Sequence, residues 1–245
     1  MEVHAHTHTE RKRLKHYLFE FFMLFLAVFC GFLAENFREK QVEHHREKEY
    51  MYSLVQDLNT DVKEIDESLT LGPIVTEKLD SIVSISNNED PDKNAQILYR
   101  LISSAGGEVR VFFSDRTSSQ LKNSGNMRLL RNQDLSDSIQ YYWAEVTIDN
   151  RFAEILQELQ SKSGDLGSQI FSNKYYEKRD PSNPLSVAVK PGAKLINNDP
   201  RLIAQFSNRL KGRLDVLNIY MLSLKDTKAT ALRLIELIKK EYHIE

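Results

Sequence analysis

From Tyr17 to Ala34 the chain reads YLFEFFMLFLAVFCGFLA, an apolar run broken by one charge, Glu20. As an α-helix it spans roughly 27 Å at about 1.5 Å per residue, near the lower limit for crossing a bilayer core. A cleaved signal would share the basic, then apolar, order, so the cleavage chemistry decides between the two. Signal peptidase needs small residues at the last and third-last positions before the cut, and a cut after Ala34 places Phe32 third-last. A lipoprotein signal needs a small residue before the cysteine, and Phe29 precedes Cys30. The expectation is an uncleaved signal-anchor, a transmembrane helix over residues 17–35.

Arg11, Lys12, Arg13 and Lys15 precede the span, and Arg38, Lys40, Arg46 and Lys48 follow it, so the count of flanking positive charges is a tie. The first cluster abuts the span more tightly, while Glu39, Glu43, Glu47 and Glu49 interleave the second. Residues 1–16 are therefore expected in the cytoplasm and the large C-terminal part outside it. Glu20, Leu24, Ala27, Gly31 and Ala34 recur at steps of three and four and share one helical face. Ala27 and Gly31 form a small-xxx-small pair, which lets two helix backbones approach closely in lipid. That face is the expected contact with a partner helix. Glu20 lies one turn inside the boundary, four residues after His16. Snorkelling, or pairing with His16 or Lys15, accounts for it without ion transport.

The balance of the 245 residues constrains the class further. A net charge of −2 gives no global basic field, so nucleic acid is not an expected partner. With 28% charged residues, 9 Gly and 6 Pro, the composition favours helices over disorder. A single cysteine allows neither an intrachain disulfide nor a multi-cysteine metal site.

Residues 36–50 are polar all round and read as a charged stalk helix continuing the span. Met51, Val55, Leu58, Val62, Ile65 and Leu69 then form a heptad seam, which LGP at Leu71–Pro73 is expected to end. Further helices are expected over PIVTEKLDSIVSIS and AQILYRLISSA, the latter stopping at Gly106-Gly107, with VRVFF extended. Residues 115–142 read as two helices around a tight break. Asp115 or Thr117 is expected to cap the first, Gly125 and Asn126 to supply a left-handed cap, and Asn132 or Asp134 to start the next, which runs to about Ile170. A loop over about 174–198 leads to Asp199-Pro200, a cap and first-turn pair. The closing helix carries Ile203, Phe206, Leu210, Leu217, Met221, Leu224, Ala231, Ile235 and Ile238 as its seam, interrupted by Arg213 and Lys228. The fold class expected is all-α: an N-terminal transmembrane helix continuing into an antiparallel coiled-coil or helical bundle over residues 51–245.

One element is distinctive: LKNSGNMRLLRNQDLSDSIQYY. Its Leu121, Lys122, Gly125, Asn126, Arg128, Leu129 and Leu130, followed by Ile139, Tyr141 and Tyr142, resemble a family of single-span, membrane-anchored helical proteins of Gram-negative bacteria. The resemblance extends over most of the chain, and it implies a membrane-anchored helical domain in Gram-negative bacteria; with the orientation read from the flanking charges, the expected location is the inner membrane with the C-terminal domain periplasmic. It implies no activity.

No phosphate-binding glycine loop, G-x-S-x-G elbow or H-E-x-x-H occurs. The abundant carboxylates are expected on exposed helical faces. Neither an enzyme nor a cofactor is expected. His4, His6 and His8 alternate in HAHTHT and form at most a weak site for Zn²⁺, Ni²⁺ or Cu²⁺. Two classes of function follow. One is an envelope scaffold or interaction protein that assembles with itself or with another inner-membrane or envelope protein. The other is an extracytoplasmic ligand-binding or sensor bundle signalling through a partner. A smaller third option is a single-span component of a proton-driven machine using Glu20.

Overall fold

In a computed structural model, residues 14–88, 90–177 and 188–244 are described. Among them the chain is all-α. Five α-helices follow one another: α1 (Leu14–Asn88), α2 (Ala95–Ala105), α3 (Arg116–Asn123), α4 (Gln133–Ile170) and α5 (Pro200–Tyr242). Two short 3₁₀ turns, Asn126–Leu129 and Asn173–Tyr175, link α3 to α4 and follow α4. Two compact units divide the chain, residues 1–49 and 50–245.

The described part of the first unit is helical throughout and holds an 18-residue window of mean hydropathy 2.2. It is the one helix among the described residues long and apolar enough to cross a membrane. Along residues 36–49 the polar side chains pair locally, as His44 with Glu47 at 3.2 Å and His45 with Glu49 at 3.3 Å.

The second unit is built on three long helical segments: residues 50–88 of α1, then α4 and α5. Cross-contacts fix their directions. Asp149 of α4 meets Ser223 and Thr227 of α5, whereas Gly167, further along α4, meets Phe206, earlier along α5. Those two helices are antiparallel. Asp66 pairs with Lys228, and Gly72 lies against Met221, so α1 is antiparallel to α5 as well. It follows that α1 and α4 are parallel, and the chain between them must travel back along α1.

That return is legible contact by contact. Lys78 bonds the carbonyl of Ser104, Ser68 that of Arg110, Asp61 the amide of Ser114, Asp57 the amide of Thr117, and Tyr50 the side chain of Asn126. From Ser68 to Asp61 is about 10 Å of helix, which Arg110–Ser114 must match with only four residue steps. Four helical steps reach about 6 Å, so the segment is drawn out. VRVFF is therefore an unpaired strip, without a sheet partner among the described residues. Its backbone is served by side chains instead: Val111 N–H donates to the Tyr220 hydroxyl at 3.3 Å, Ser68 donates to the Arg110 carbonyl at 3.1 Å, and just before the strip Arg213 donates to the Gly107 carbonyl at 3.3 Å.

Several expectations are corrected. The LGP sequence does not end α1, which runs through Pro73 to Asn88. A proline there removes one backbone bond, but Val75, Leu79 and Ile82 continue the buried stripe and hold the next turns helical. Gly72 lets the Met221 side chain lie directly on α1: a Cβ there would sit 2.2 Å from its sulfur and push that side chain aside. Asp115 makes no side-chain cap on α3, and that cap comes from Asp57. Of the seam on α5, Met221 is only half-buried while Arg213, expected to interrupt it, is buried. Asn132 caps α4, and Asp199 caps α5 with Pro200 in its first turn, as the sequence implied. Gly125 is left-handed at φ 67°.

Two core clusters fill the unit. One, around Met51, Leu58, Leu121, Leu135, Ile139 and Ile238, holds the α3–α4 junction to α1 and α5. The other, around Ile65, Leu79, Tyr99, Phe206 and Leu217, includes α2 and the segment after α4. Tyr99 anchors that segment, receiving the Ser172 N–H at 2.7 Å and donating to the Lys194 carbonyl at 3.1 Å. The rings of Phe171, Tyr175 and Tyr176 meet it edge-on at 5.1–5.5 Å.

Candidate functional site

Glu20, Leu24, Ala27, Gly31 and Ala34 all lie on α1 and are exposed. A Cβ built on Gly31 meets nothing within 4 Å. Around them Phe19, Phe21, Phe22, Phe25 and Phe32 are exposed, and Phe25 stacks on Phe29 at 5.9 Å between centroids. Glu20 approaches His16 at 3.8 Å, the (i, i+4) pairing read from the sequence. His4, His6 and His8 lie outside the described residues, as do Arg11, Lys12 and Arg13.

The LKNSGNMRLL element builds a junction. Leu121, Leu129 and Leu130 are buried in the core. Lys122 places its ammonium 4.3 Å from the Trp143 ring centroid, Gly125 makes the left-handed turn, and Asn126 donates to the Tyr50 hydroxyl at 2.7 Å. Arg128 sits exposed in the 3₁₀ turn that follows. Ile139 is buried, Tyr141 is exposed, and the Tyr142 hydroxyl donates to Asp61 at 2.6 Å. Packing and turn geometry account for most of these residues.

The expectation that the carboxylates are solvated is wrong for four of them among the described residues. Glu47 is buried beside His44, and Asp57, Asp61 and Asp149 are buried, each with two donors. Asp57 accepts from Arg116 at 2.7 Å and from the Thr117 N–H at 3.0 Å. Asp61 accepts from the Ser114 N–H at 2.7 Å besides Tyr142. Asp149 accepts from Ser223 at 2.5 Å and Thr227 at 2.7 Å. Such pairing is what makes a buried carboxylate tolerable. Burial still raises Asp61 and Asp149 above the ordinary carboxylate range, because desolvation outweighs the hydrogen bonds that oppose it. Among the described residues no group of three or more His, Cys, Asp or Glu is placed to hold a metal ion.

A feature that the sequence reading missed lies between α1, α2, α4 and α5. A cavity of about 550 Å³ is walled by Leu79, Ile82, Phe171 and Phe206 and reached by Gln160 and Arg213. Glycines on α4 open it: Gly164 lines the wall with nothing within 4 Å of its Cβ position. A smaller cavity of about 250 Å³, bordered by Glu108, shares Gln160 and Arg213. Arg213 is 6% exposed. Burial pulls its guanidinium below the ordinary arginine value, but an arginine remains charged in a protein. The signal was its position, three residues after Leu210 and four before Leu217, squarely on the α5 seam.

Fold and surface together define a class: an all-α protein with one N-terminal helix long and apolar enough to span a membrane. Comparison with family models, with curated proteins and with solved structures finds no match to this chain.

Proposed function

We propose that the chain is a membrane-anchored helical scaffold of the bacterial cell envelope, whose span packs against a second helix and whose bundle is periplasmic. The observation that carries this reading is the helix from Tyr17 to Leu33, apolar and exposed, with Ala27 and Gly31 on one face and open space at Gly31. Exposed apolar surface of this extent needs lipid or protein around it. The pairing of Glu20 with His16 supports a structural role for that carboxylate rather than a proton path. The likeness of LKNSGNMRLL to a Gram-negative family of anchored helical proteins supports the compartment, and the tighter basic cluster before the span supports the orientation.

The test is purification from membranes with mass measurement of the intact assembly. Gly31→Leu should insert normally, since leucine suits lipid at least as well as glycine, and yet separate the protein from its partner. Glu20→Gln should leave the assembly and its function intact. Unchanged partners and stoichiometry for Gly31→Leu would reduce the span to a tether. A reporter after Glu245 active only as a cytoplasmic enzyme would reverse the orientation.

A further inference from the structure

Arg213 is a charge in the wrong place for stability. A buried guanidinium has five N–H donors and cannot shed its proton. Here one donor reaches a neutral carbonyl, that of Gly107, at 3.3 Å. No carboxylate among the described residues pairs with it. Nearby acids are occupied or solvated: Glu108 lies 3.7 Å from Arg110, and Glu177, on the rim of the larger cavity, is exposed. Holding one carbonyl of the return strip needs a single neutral donor, so that task does not explain a cation. The same side chain lines a cavity whose wall is mainly apolar, with serines, Asn173, Tyr176 and the exposed Glu177 as its polar part. Its volume of about 550 Å³ falls within the range of small-molecule sites, roughly 300–1,000 Å³.

We propose that this cavity binds a small amphiphilic carboxylate, with its anionic head on Arg213 and Gln160 and its apolar chain among Leu79, Ile82, Phe171 and Phe206. A carboxylate matches the guanidinium fork and supplies the missing counter-charge, and the apolar walls favour a hydrocarbon tail over a sugar or nucleotide. The open flank at Gly164 leaves room for that tail. This site is independent of the anchoring role of the N-terminal helix.

The test is titration of sodium octanoate into the full chain held in lipid nanodiscs at neutral pH, with empty nanodiscs as the blank. One saturable site per chain is expected, with octanol binding about tenfold or more weakly for want of a charge-assisted bond. Arg213→Met should abolish the preference for octanoate over octanol while raising the thermal midpoint, because it removes a buried unpaired charge. Gly164→Leu should keep the fold, fill the cavity and lose octanoate and octanol alike, and it decides the matter even where Arg213→Met loses its fold. Uptake no greater than the blank, equal affinity for octanol and octanoate, or wild-type affinity in Gly164→Leu would each overturn the proposal.

Discussion

At the scale of single residues, the bundle is specified by polar side chains placed on its apolar seams. Asp61 stands three residues after Leu58 and four before Ile65, both fully buried, and so it faces the same interior. The heptad pattern therefore contained its position. What the pattern did not contain was the partner, a backbone amide from a strip 53 residues away in sequence. Asp61 and Asp149 are both raised above the ordinary carboxylate value, so the folded state binds more protons than the unfolded chain between that value and the raised one. Their contribution to stability is complete below the ordinary carboxylate value and is lost as pH rises through the raised one. Urea midpoints of the domain should accordingly fall as pH rises above the ordinary carboxylate value. Asp149→Asn should flatten that dependence, and high salt should mute opposing contributions from exposed pairs such as Asp90 with Lys93 and Glu158 with Lys162. A midpoint that rises over the same interval in wild type would refute this assignment.

At the scale of elements, local rules worked wherever the local signal was also the global one. Asn132, Gly125 and Asp199-Pro200 mark real boundaries, because caps and turns are settled by a few neighbouring residues. Leu71–Pro73 misled, because the helix there is sustained by tertiary packing of Val75, Leu79 and Ile82 against the rest of the core. Pro73 is thus a defect carried inside α1. Pro73→Ala should leave the helical content unchanged and raise the denaturant unfolding free energy by about 1–3 kcal/mol, the usual gap between the two residues in a helix interior. Loss of stability on that change would mean that the irregularity at Pro73 is needed for the fit of Gly72 against Met221. The unpaired strip after α2 was legible only as an extended stretch. Its role depends on the parallel arrangement of α1 and α4, which no local pattern encodes.

For the whole molecule, the decisive relation is that α5 contacts both α1 and α4 along its length. Residues from Tyr50 onward, produced without the first unit, should be soluble and give a strongly helical circular dichroism spectrum, since both core clusters lie within them. Leu217→Asp should abolish that spectrum's cooperative melting, because it puts an unpaired charge at a fully packed position and costs several kcal/mol. A fragment that stays unfolded would show that the first unit is needed for the second.

The antiparallel seating of α5 also imposes a timetable. Lys228, Ser223 and Met221 are made last, yet they meet Asp66, Asp149 and Gly72, which emerged up to 162 residues earlier. While the chain is still growing, α1 can close only on the return segment and the α3–α4 junction, and α4 lacks the partner that α5 supplies. Both keep an uncovered apolar face until α5 is made. The long apolar helix near the N-terminus, by contrast, is complete early. Under the anchoring proposed above, its insertion would precede closure of the bundle, which waits for α5.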